Sequence, residues 1–520
     1  MSLDYDAIVI GGGHNSLTAA AYLAKAGMRV AVFAQRESLG GAASTEELIP
    51  GFHFNTGWGE AKMLLPEVVA ELGLARHGLE WLEAPVRAFA PLADGRAITI
   101  WEPAERTAAE LATFSPTDAA AYPKFAAQNT QFSTLLAEMA RLSPPSLQYR
   151  PLRLLAAWAR LAIQARRMGG GRMMEFLRVL PMGAARYLNE WFEEETLKGM
   201  LAAHSITALQ QGPRAAGTAF MLLFQNMGAS NRVPRGGVGA VSAALAKAAE
   251  AHGAELRTRS EVAGILVEGN RAVGVRFASG EELRAGMVLS GAEPRRTFLE
   301  LVGGPQLEPR LVRGLRALKL KGSTATVHLA LSGLPEFPAA GGDSERLAGE
   351  IVVCPSLDYA EQAYDDAKNG RISKRPVLIA RMPSLMDASL APAGQHTLSI
   401  TVRYAPYHLR ESTWDKQRER LGDLAAATLK VHAPGLEKLV VDRRVITPLD
   451  YERDYGLTEG SLTQGQMGLD QLVLMRPVPG FAGYRSPIDG LYLCGAGAHP
   501  GGGVTGAPGR NAARQVLQER

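Results

Sequence analysis

Cysteine is nearly absent from this 520-residue sequence, which contains only Cys354 and Cys494. Two cysteines exclude a disulfide-rich scaffold and any zinc module built on several thiolates. The ten histidines show no HExxH or comparable ligand spacing, so no metal site is predicted. No run of about 18 apolar residues occurs, so we also predict no membrane-spanning helix.

Charge of one sign is not in large excess either. The sequence has 56 Lys and Arg against 52 Asp and Glu, a net charge of +4, and the acidic residues are spread along the chain. No nucleic-acid partner is therefore expected. The N-terminal residues lack the basic-then-apolar pattern of a secretory signal, so we expect a cytoplasmic protein.

The composition is that of a large folded protein. Hydrophobic residues make up 46% of the sequence and charged residues 21%, which excludes a disordered chain. The length is sufficient for two or three domains or for one large interleaved unit. Glycine is frequent, with 56 residues, and it clusters near both ends of the chain.

The first forty residues show the clearest local pattern. The apolar run 7–10 predicts a parallel strand that is buried on both faces. The Ala-rich segment 17–26 predicts a helix that ends at Gly27, and residues 29–33 predict a second buried strand. The sequence therefore predicts a βαβ unit at its start.

A glycine-rich turn lies between this first strand and the helix. Gly11-x-Gly13-x-x-Ser16 nearly matches the dinucleotide-binding fingerprint, with Ser16 in place of the third glycine. Such a turn brings a pyrophosphate to the helix N-terminus. We therefore predict a dinucleotide site here, and the alternative is a purely structural turn.

Two further glycine-rich segments support the same interpretation. The pair Gly40-Gly41 follows the first turn at a spacing typical of flavoproteins. Near the C-terminus, the apolar run 491–494 leads into the glycine-rich segment 495–506 and then into a helical pattern. This arrangement suits the pyrophosphate, ribityl chain or ring edge of a flavin.

The rest of the chain divides into a helical middle and a strand-rich later part. Ser115-Pro116-Thr117-Asp118 is typical of a helix start. Later strands are predicted at 255–258, 262–267, 272–277, 287–290, 324–331, 377–380 and 398–403. Because several of these lie far from the first βαβ unit, a second sheet-containing domain is expected.

Together these segments resemble the FAD-dependent phytoene desaturase and carotenoid isomerase superfamily of amine-oxidase-like flavoproteins. The closest resemblance is to its generic NAD(P)/FAD-dependent oxidoreductase branch. It is carried by Gly11–Asn15, Pro234–Ala240, Arg476–Gly480 and His499–Gly506. It extends over residues 6–517 and is weaker between 100 and 215. These motifs are specific for fold and cofactor class but not for substrate.

The resemblance implies an α/β fold in which a Rossmann-like FAD-binding domain is assembled from discontinuous segments beside a substrate domain of mixed sheet and helices. The implied FAD-binding segments are 1–100, 231–300 and 471–520. Residues 101–230 would form a helical cap over the substrate, and 301–470 would supply the sheet of the substrate domain.

The resemblance also implies which residues contact FAD. These are Gly11, Gly13 and Ser16 at the pyrophosphate, Arg36, Gly40, Gly41 and Ala42 along the ribityl and flavin side, Val262 at the adenine, and Gly495, Gly503 and Val504 at the pyrophosphate and isoalloxazine.

One position departs from the family pattern. The second strand of relatives ends in a Glu that holds the adenosine ribose, and here that position is Ala34. Gln35 and Glu37 are polar neighbours, but neither has the right register. This departure supports the alternative of a relative that has lost its activity.

No catalytic residue is predicted from the sequence. His499, in a turn beside the predicted flavin, is the one candidate, and a role in satisfying the backbone is the alternative. Cys494 is expected to be an inert core thiol, and His14 to be a capping or packing residue.

The segment 141–190 contains nine arginines and no lysine, with only Glu175 and Glu190 as acids. The cluster Gly169–Gly171 is expected to divide it into two helical pieces. The resemblance to carotenoid-active proteins implies that a helical region here contacts the bilayer so that lipophilic substrates can enter, and the arginines with interleaved apolar residues fit an interfacial helix attracted to anionic lipid on the inner face of the membrane. The alternative is a solvated cap over the substrate pocket.

The predicted function is a FAD-dependent oxidoreductase that dehydrogenates a lipophilic, isoprenoid or carotenoid-like substrate or isomerises its double bonds. One alternative is an amine or alcohol oxidase on a small molecule, and another is a catalytically silent binding or scaffold protein. A long apolar tunnel would favour the polyene, whereas an aromatic cage or a carboxylate would favour the small molecule. Flavin absorbance in the purified protein would exclude the alternative of a catalytically silent binding or scaffold protein.

Overall fold

The computed structural model describes residues 3–145, 152–228, 231–304 and 307–520. Its strands are β1 (Tyr5–Ile10), β2 (Val30–Phe33), β3 (Thr45–Ile49), β4 (Phe52–Asn55), β5 (Trp81–Glu83), β6 (Val86–Pro91), β7 (Ala97–Trp101), β8 (Arg232–Pro234), β9 (Glu255–Arg257), β10 (Val262–Glu268), β11 (Arg271–Phe277), β12 (Glu282–Ser290), β13 (Thr324–Leu331), β14 (Glu350–Val353), β15 (Leu378–Arg381), β16 (His396–Arg403), β17 (Val440–Ile446) and β18 (Leu491–Leu493).

Its α-helices are α1 (His14–Lys25), α2 (Pro66–Glu71), α3 (Ala104–Leu111), α4 (Pro116–Ala140), α5 (Leu152–Arg167), α6 (Gly170–Val179), α7 (Ala184–Asn189), α8 (Glu195–Ser205), α9 (Thr218–Gln225), α10 (Gly239–Ala251), α11 (Pro309–Arg316), α12 (Leu357–Lys368), α13 (Trp414–Lys430), α14 (Leu436–Leu439), α15 (Pro448–Tyr455) and α16 (Ala507–Glu519). A π-helix covers Arg296–Gly303, and short 3₁₀ turns join other elements.

The first sheet has the Rossmann arrangement and confirms the predicted α/β fold. Its parallel part runs in the order β9-β2-β1-β12-β18, and β11 and β10 extend it antiparallel from β12. Ile8 lies between Val288 and Ala31 and is fully buried. Helices α1, α10 and α16 pack together beside this sheet. The carboxyl ends of β1, β2 and β12 therefore meet at one edge.

The second sheet runs in the order β17-β13-β16-β15-β14-β6-β7 and forms the predicted second sheet-containing unit. Its hairpin β6–β7 comes from residues that the sequence prediction assigned largely to the first FAD-binding segment. The hairpin joins this sheet because β6 pairs parallel with β14, placing Phe89 beside Ile351. A pairing between strands so distant in sequence leaves no local signal.

The helices between β7 and β8 cover the second sheet. Ser115 accepts a hydrogen bond from the Asp118 backbone and begins α4, as predicted from the sequence. Helix α5 ends at Arg167 and α6 begins at Gly170, so the glycine cluster separates two helices as expected. Residues 146–151 of the Arg-rich segment lie outside the described residues.

Candidate active site

A groove opens at the carboxyl ends of β1, β2 and β12. Eight of the predicted cofactor-binding residues line it, namely Gly11, Gly13, Ser16, Arg36, Gly41, Ala42, Val262 and Gly495. The structure thus brings together residues from the beginning, middle and end of the chain. This location is where open parallel sheets bind dinucleotides.

The first glycine turn shapes the floor of this groove. Gly11 has φ +94°, a conformation that favours glycine, and its N–H donates to the Phe33 carbonyl at 2.8 Å. Gly13 is the N-cap of α1, and nothing lies within 4 Å of a Cβ placed on it. The N-terminus of α1 is therefore open to a pyrophosphate.

The second glycine pair packs directly on the first. The Gly40 N–H donates to the Gly12 carbonyl at 2.7 Å, and a Cβ on Gly41 would lie 3.2 Å from Gly13 Cα. A larger residue at 41 would therefore separate the two turns. Their contact explains the spacing of the two motifs in the sequence.

Ser16 has room for its side chain because Gly291, directly after the neighbouring strand β12, has none. A Cβ on Gly291 would lie 1.9 Å from the Ser16 hydroxyl oxygen, so the space that the third glycine usually leaves is provided by Gly291. Ser16 also hydrogen-bonds the Cys494 side chain. Burial raises the pKa of the Cys494 thiol to about 12, so this thiol stays protonated near neutral pH.

Several polar atoms of groove residues have no partner among the described residues. His14 Nε2, Asn15 Oδ1 and one terminal nitrogen of Arg36 are buried without a hydrogen bond to any of them. Burial lowers the pKa of His14 to about 4, so its ring is neutral. Buried polar atoms are normally paired, and these fit a polar cofactor.

Arg36 is held in place by two contacts. Its guanidinium lies 2.7 Å from Glu46 and 4.2 Å from the centre of the Tyr455 ring. Its other terminal nitrogen, Nη1, has no partner within the described ranges, so Arg36 has a donor to offer a bound phosphate or ribityl group. The residues present therefore fit a dinucleotide such as FAD.

Ala34, the position that departs from the family pattern, follows β2 directly. Ala34 lines the groove, and its Cβ is 2.8 Å from a Cβ placed on Gly12. Glu37 instead pairs with Arg259 on the surface, at 2.5 Å. Among the described residues that line the groove, Glu261 has the one carboxylate, and it lies 3.7 Å from Arg296.

Four predicted residues do not line the groove. Gly40 packs against Ala43 and Ser44, and Val504 lies in the core. Gly503 hydrogen-bonds His14 through its backbone. The His499 ring is fully buried and its Nε2 lies 3.0 Å from the Met139 carbonyl, as in the alternative of a backbone-satisfying role. A catalytic role for His499 stays a prediction without support from this geometry.

The sequence analysis missed other groove residues. Gly291 and Ala292 follow β12, and a glycine directly after a buried strand is a signal that could have indicated them. Gln464 bridges two backbone segments, donating to the Gly291 carbonyl and accepting from the Gly497 N–H, each at 2.8 Å. It lies in irregular structure, where no sequence pattern marks it.

Two cavities lie beside the second sheet. The cap cavity, about 410 Å³, lies between β6–β7 and the helices α4, α8 and α9. The sheet cavity, about 80 Å³, lies against β13, β15 and β16. Both are lined by Lys62, Arg87, Asn231 and Glu350, so they meet at these side chains.

A thin wall separates the sheet cavity from the groove. Gly57 lines the cavity, and a Cβ on it would lie 2.4 Å from the carbonyl oxygen of Ala42, which lines the groove. The Trp58 N–H donates to the same carbonyl at 2.6 Å. A ligand in the sheet cavity and a dinucleotide in the groove would therefore be neighbours.

Within the described ranges we find no helix with the length and apolar character needed to cross a membrane. The same residues contain no group of three or more His, Cys, Asp or Glu arranged to hold a metal ion.

Comparison with known proteins identifies the family. Residues 9–59 match the family model of the NAD(P)-binding Rossmann-like domain. Pyridine nucleotide-disulfide oxidoreductase domain-containing protein 2 of Rattus norvegicus is 36% identical, over 99% of this chain and 94% of the rat protein.

More distant relatives also match along nearly their whole length. A limonene dehydrogenase polypeptide of Castellaniella defragrans is 26% identical over 99% of this chain and 94% of its own. The neurosporene-forming phytoene desaturase of Cereibacter sphaeroides is 26% identical over 97% of this chain and 92% of the desaturase.

Among solved structures, a putrescine oxidase triple mutant has a TM-score of 0.61 at 15% identity, over 99% of both chains, and shares the fold. The superfamily's cofactor is FAD, and the groove residues fit it. The chain therefore belongs to the family of pyridine nucleotide-disulfide oxidoreductase domain-containing protein 2, in the FAD-dependent superfamily that includes phytoene desaturases and amine oxidases.

Proposed function

We propose that this protein is a FAD-dependent dehydrogenase that removes hydrogen across a carbon–carbon bond of a largely apolar substrate or shifts its double bonds. The observation that carries this proposal is the cap cavity. Its wall is mixed. Ile100, Tyr122, Phe125, Leu201 and Leu222 form an apolar part suited to a hydrocarbon body, and polar side chains such as Asn129, Gln225 and Glu350 form the remainder. Its volume is within the usual range for a small-molecule site.

The relatives support double-bond chemistry. Limonene and phytoene, named in two of the relatives, are both isoprenoid hydrocarbons without an amine or a hydroxyl group. FAD, when bound, supplies the hydride acceptor for such a reaction. The residues of the chain would bind the substrate, orient it toward the groove wall at Ala42 and Gly57, and exclude water.

The carboxylates of the cap cavity do not favour a small amine. Glu102 lies 2.8 Å from Arg87. Glu350 is hydrogen-bonded to Arg381 through Oε1 and to His204 through Oε2. An ammonium group at Glu102 or Glu350 would therefore compete with partners already in place. The third carboxylate of the lining, Glu105, is exposed at the surface. For this reason we do not advance the amine oxidase as a second candidate.

We also propose that α5 and α6 face a membrane from which the substrate enters. Leu152, Leu155 and Ile163 on α5 and Met174 and Leu177 on α6 are exposed, Leu152 by 84% and Met174 by 62%. Arg160, Arg166 and Arg167 lie among them and form no ion pair with the described residues. Exposed apolar side chains beside unpaired arginines suit an anionic lipid surface.

The dehydrogenase proposal is tested by anaerobic reduction of the FAD-loaded protein. Limonene, a polyisoprenoid hydrocarbon, putrescine and a primary alcohol are each added, and loss of the visible absorbance of oxidised flavin is followed. We expect dehydrogenation of an isoprenoid to bleach the flavin and the amine to leave it unchanged. A double-bond shift transfers no net electrons and leaves the flavin oxidised, so it is followed by analysis of the recovered isoprenoid. Bleaching by putrescine or the alcohol alone would show that the protein is a small-molecule oxidase.

A further inference from the structure

The face of the second sheet that is turned to the cavities is polar although it is buried. Thr326, Ser399 and Thr401 line the sheet cavity, whereas their neighbours Val327 and Ile400 lie in the core on the other face. Such alternation is usual for a sheet with one solvated face. Here the polar face has cavities instead of bulk water, which indicates a site for a polar group.

Charged side chains cluster around the junction of the two cavities. Lys62 and Glu350 line both cavities, Glu60 and Arg381 line the sheet cavity, and His204 lines the cap cavity. Arg403 lies outside both linings, on β16, close enough to interact with the charges of Arg381, Glu350 and Glu60. We call this network the charged pole, and it consists of Glu60, Lys62, His204, Glu350, Arg381 and Arg403.

Glu350 is the centre of the charged pole and is only 6% exposed. Its Oε1 lies 2.5 Å from Arg381, and its Oε2 is bonded by His204 Nε2. Burial alone would raise the pKa of Glu350, but the charges of Arg381, His204 and Lys62 hold it well below its usual range. The carboxylate is therefore ionised and fully engaged.

Lys62 connects the two acids. Its Nζ lies 2.9 Å from Glu60 and 3.8 Å from Glu350, and Arg381 lies 3.7 Å from Glu60. Two cations and two carboxylates thus balance each other within this part of the pole.

Arg403 is different because it forms no ion pair with any residue in the described ranges. It is 8% exposed, and its Nε is buried without a hydrogen-bond partner among those residues. It lies on the same face of β16 as Ser399 and Thr401. Burial, with the nearby charge of Arg381 acting in the same direction, lowers the pKa of Arg403 to about 10, so it remains cationic near neutral pH.

The charged pole therefore carries an excess of positive charge. The pole contains three cations, Lys62, Arg381 and Arg403, and two carboxylates, Glu60 and Glu350, so one cation is unmatched even when His204 is neutral. The other buried carboxylate of the sheet cavity, Asp387, accepts hydrogen bonds from the Gly236 and Ser389 backbone instead. An unmatched charge away from water is costly, and an anionic ligand would remove that cost.

We propose that the charged pole binds the carboxylate of an amphipathic substrate whose hydrocarbon body fills the cap cavity. This inference rests on the proposed function and specifies its substrate class as a hydrocarbon acid. Lys62 and Glu350 line both cavities, so a head group at the pole is continuous with a tail beside Tyr122 and Phe125. Arg403 supplies the unmatched charge.

The test uses three ligands with one isoprenoid body and different head groups, namely geranic acid, geraniol and geranylamine. Their dissociation constants for the FAD-loaded protein are measured by calorimetry. We expect geranic acid to bind about tenfold tighter than geraniol, as a charge-assisted contact allows, and geranylamine to bind most weakly.

Two variants assign the preference to Arg403. Arg403→Met is expected to raise the dissociation constant of geranic acid about tenfold and to change that of geraniol by less than about twofold. Arg403→Lys, which keeps the charge, is the matched control and should retain the preference. Loss of a buried unpaired charge does not weaken a fold, so the Met variant should melt no lower than wild type.

Equal binding of acid and alcohol to wild type, or tighter binding of the amine, would overturn the proposal. So would a Met variant that keeps the acid preference, or one that changes only FAD affinity, since the charge would then serve the cofactor. Failure of the proposed function is a separate result. The flavin would not be bleached by isoprenoids, while the acid preference and its loss in Arg403→Met would still support the pole as an anion site.

Discussion

At the scale of single residues, the dinucleotide groove depends on positions where a side chain is small or missing. Gly13 has φ −72° and ψ 158°, which any residue adopts, and the space beyond its Cα is open. A side chain there would project into the groove without straining the backbone. The fold itself therefore does not require glycine at position 13, and we predict that the approach of a bound pyrophosphate does.

We predict that Gly13→Asp prevents FAD binding and leaves the protein folded. The new carboxylate would occupy the pyrophosphate position and repel it, and we expect the dissociation constant to rise by more than about 100-fold. Titration of the apoprotein with FAD, followed by flavin fluorescence, measures this change.

Gly435→Asp is the control for this prediction. Gly435 also has an ordinary φ of −91° and open space beside it, but it lies before α14, outside the groove lining. Its variant should bind FAD like wild type. Stoichiometric FAD in purified Gly13→Asp would show that the pyrophosphate does not bind at this turn.

Ala34 is the residue at which an active flavoprotein and a silent one can be distinguished. We predict that wild type is isolated partly empty of FAD and that Ala34→Glu binds FAD about 10- to 100-fold more tightly. The restored carboxylate would accept hydrogen bonds from the ribose hydroxyls, and such bonds contribute about 1.5–3 kcal/mol. Cofactor titration measures the gain.

The Ala34→Gln variant has the same length without the charge and should gain less. The visible spectrum of the bound flavin should be the same in all three proteins, because position 34 contacts the adenosine half. If neither wild type nor Ala34→Glu binds FAD at high micromolar concentration, the site has lost its function. The interpretation as a binding or scaffold protein would then replace the enzyme.

At the scale of elements, α5 and α6 differ from the rest of the cap because they expose apolar side chains. Arg178 is paired with Glu175 and Glu190 in a compact ion cluster. The arginines in the last turns of α5 have no such partners among the described residues. The two helices thus combine apolar contact area with unneutralised charge, which is the combination that an anionic bilayer attracts.

We predict that the protein floats with anionic liposomes at low salt and that binding falls at about 0.5 M salt, where screening is strong. The double variant Leu155→Ser with Ile163→Ser should lose most of this binding, because the apolar contact is removed. Val441→Ser, another exposed apolar residue but on β17, is the matched control and should bind normally. Equal flotation with neutral and anionic vesicles would contradict the prediction.

At the scale of the whole molecule, the groove joins segments that are hundreds of residues apart. Its lining comes from residues 10–42, 260–301, 455–464 and 495–496. FAD bound there would contact the beginning, middle and end of the chain at once. Cofactor binding and the stability of the whole Rossmann unit are therefore expected to be linked.

We predict that FAD at 100 times its dissociation constant raises the free energy of unfolding by about 2.7 kcal/mol. For a chain of this size, this corresponds to a rise in melting temperature of roughly 2–3 °C. Differential scanning calorimetry with and without FAD measures the shift. Gly13→Asp should show no shift, and a shift of equal size in that variant would indicate binding elsewhere.

Local signals in the sequence determined the Rossmann part of this protein. The run 7–10 lies between two parallel neighbours, so a strand buried on both faces has to be apolar throughout, and this made it recognisable. Gly11 was recognisable because its positive φ requires glycine. The start of α4 at Ser115 was equally local, because capping depends on neighbouring residues.

Only the tertiary structure decided which distant residues complete the site. Gly291 replaces the third glycine by packing on Ser16, and Gln464 joins two backbone segments, yet neither forms part of a local pattern. The charged pole likewise takes Lys62, Glu350 and Arg403 from three separate parts of the chain. Hydrogen bonds and charge balance act through space, whereas propensity and periodicity act along the chain, so only the former depend on the completed fold.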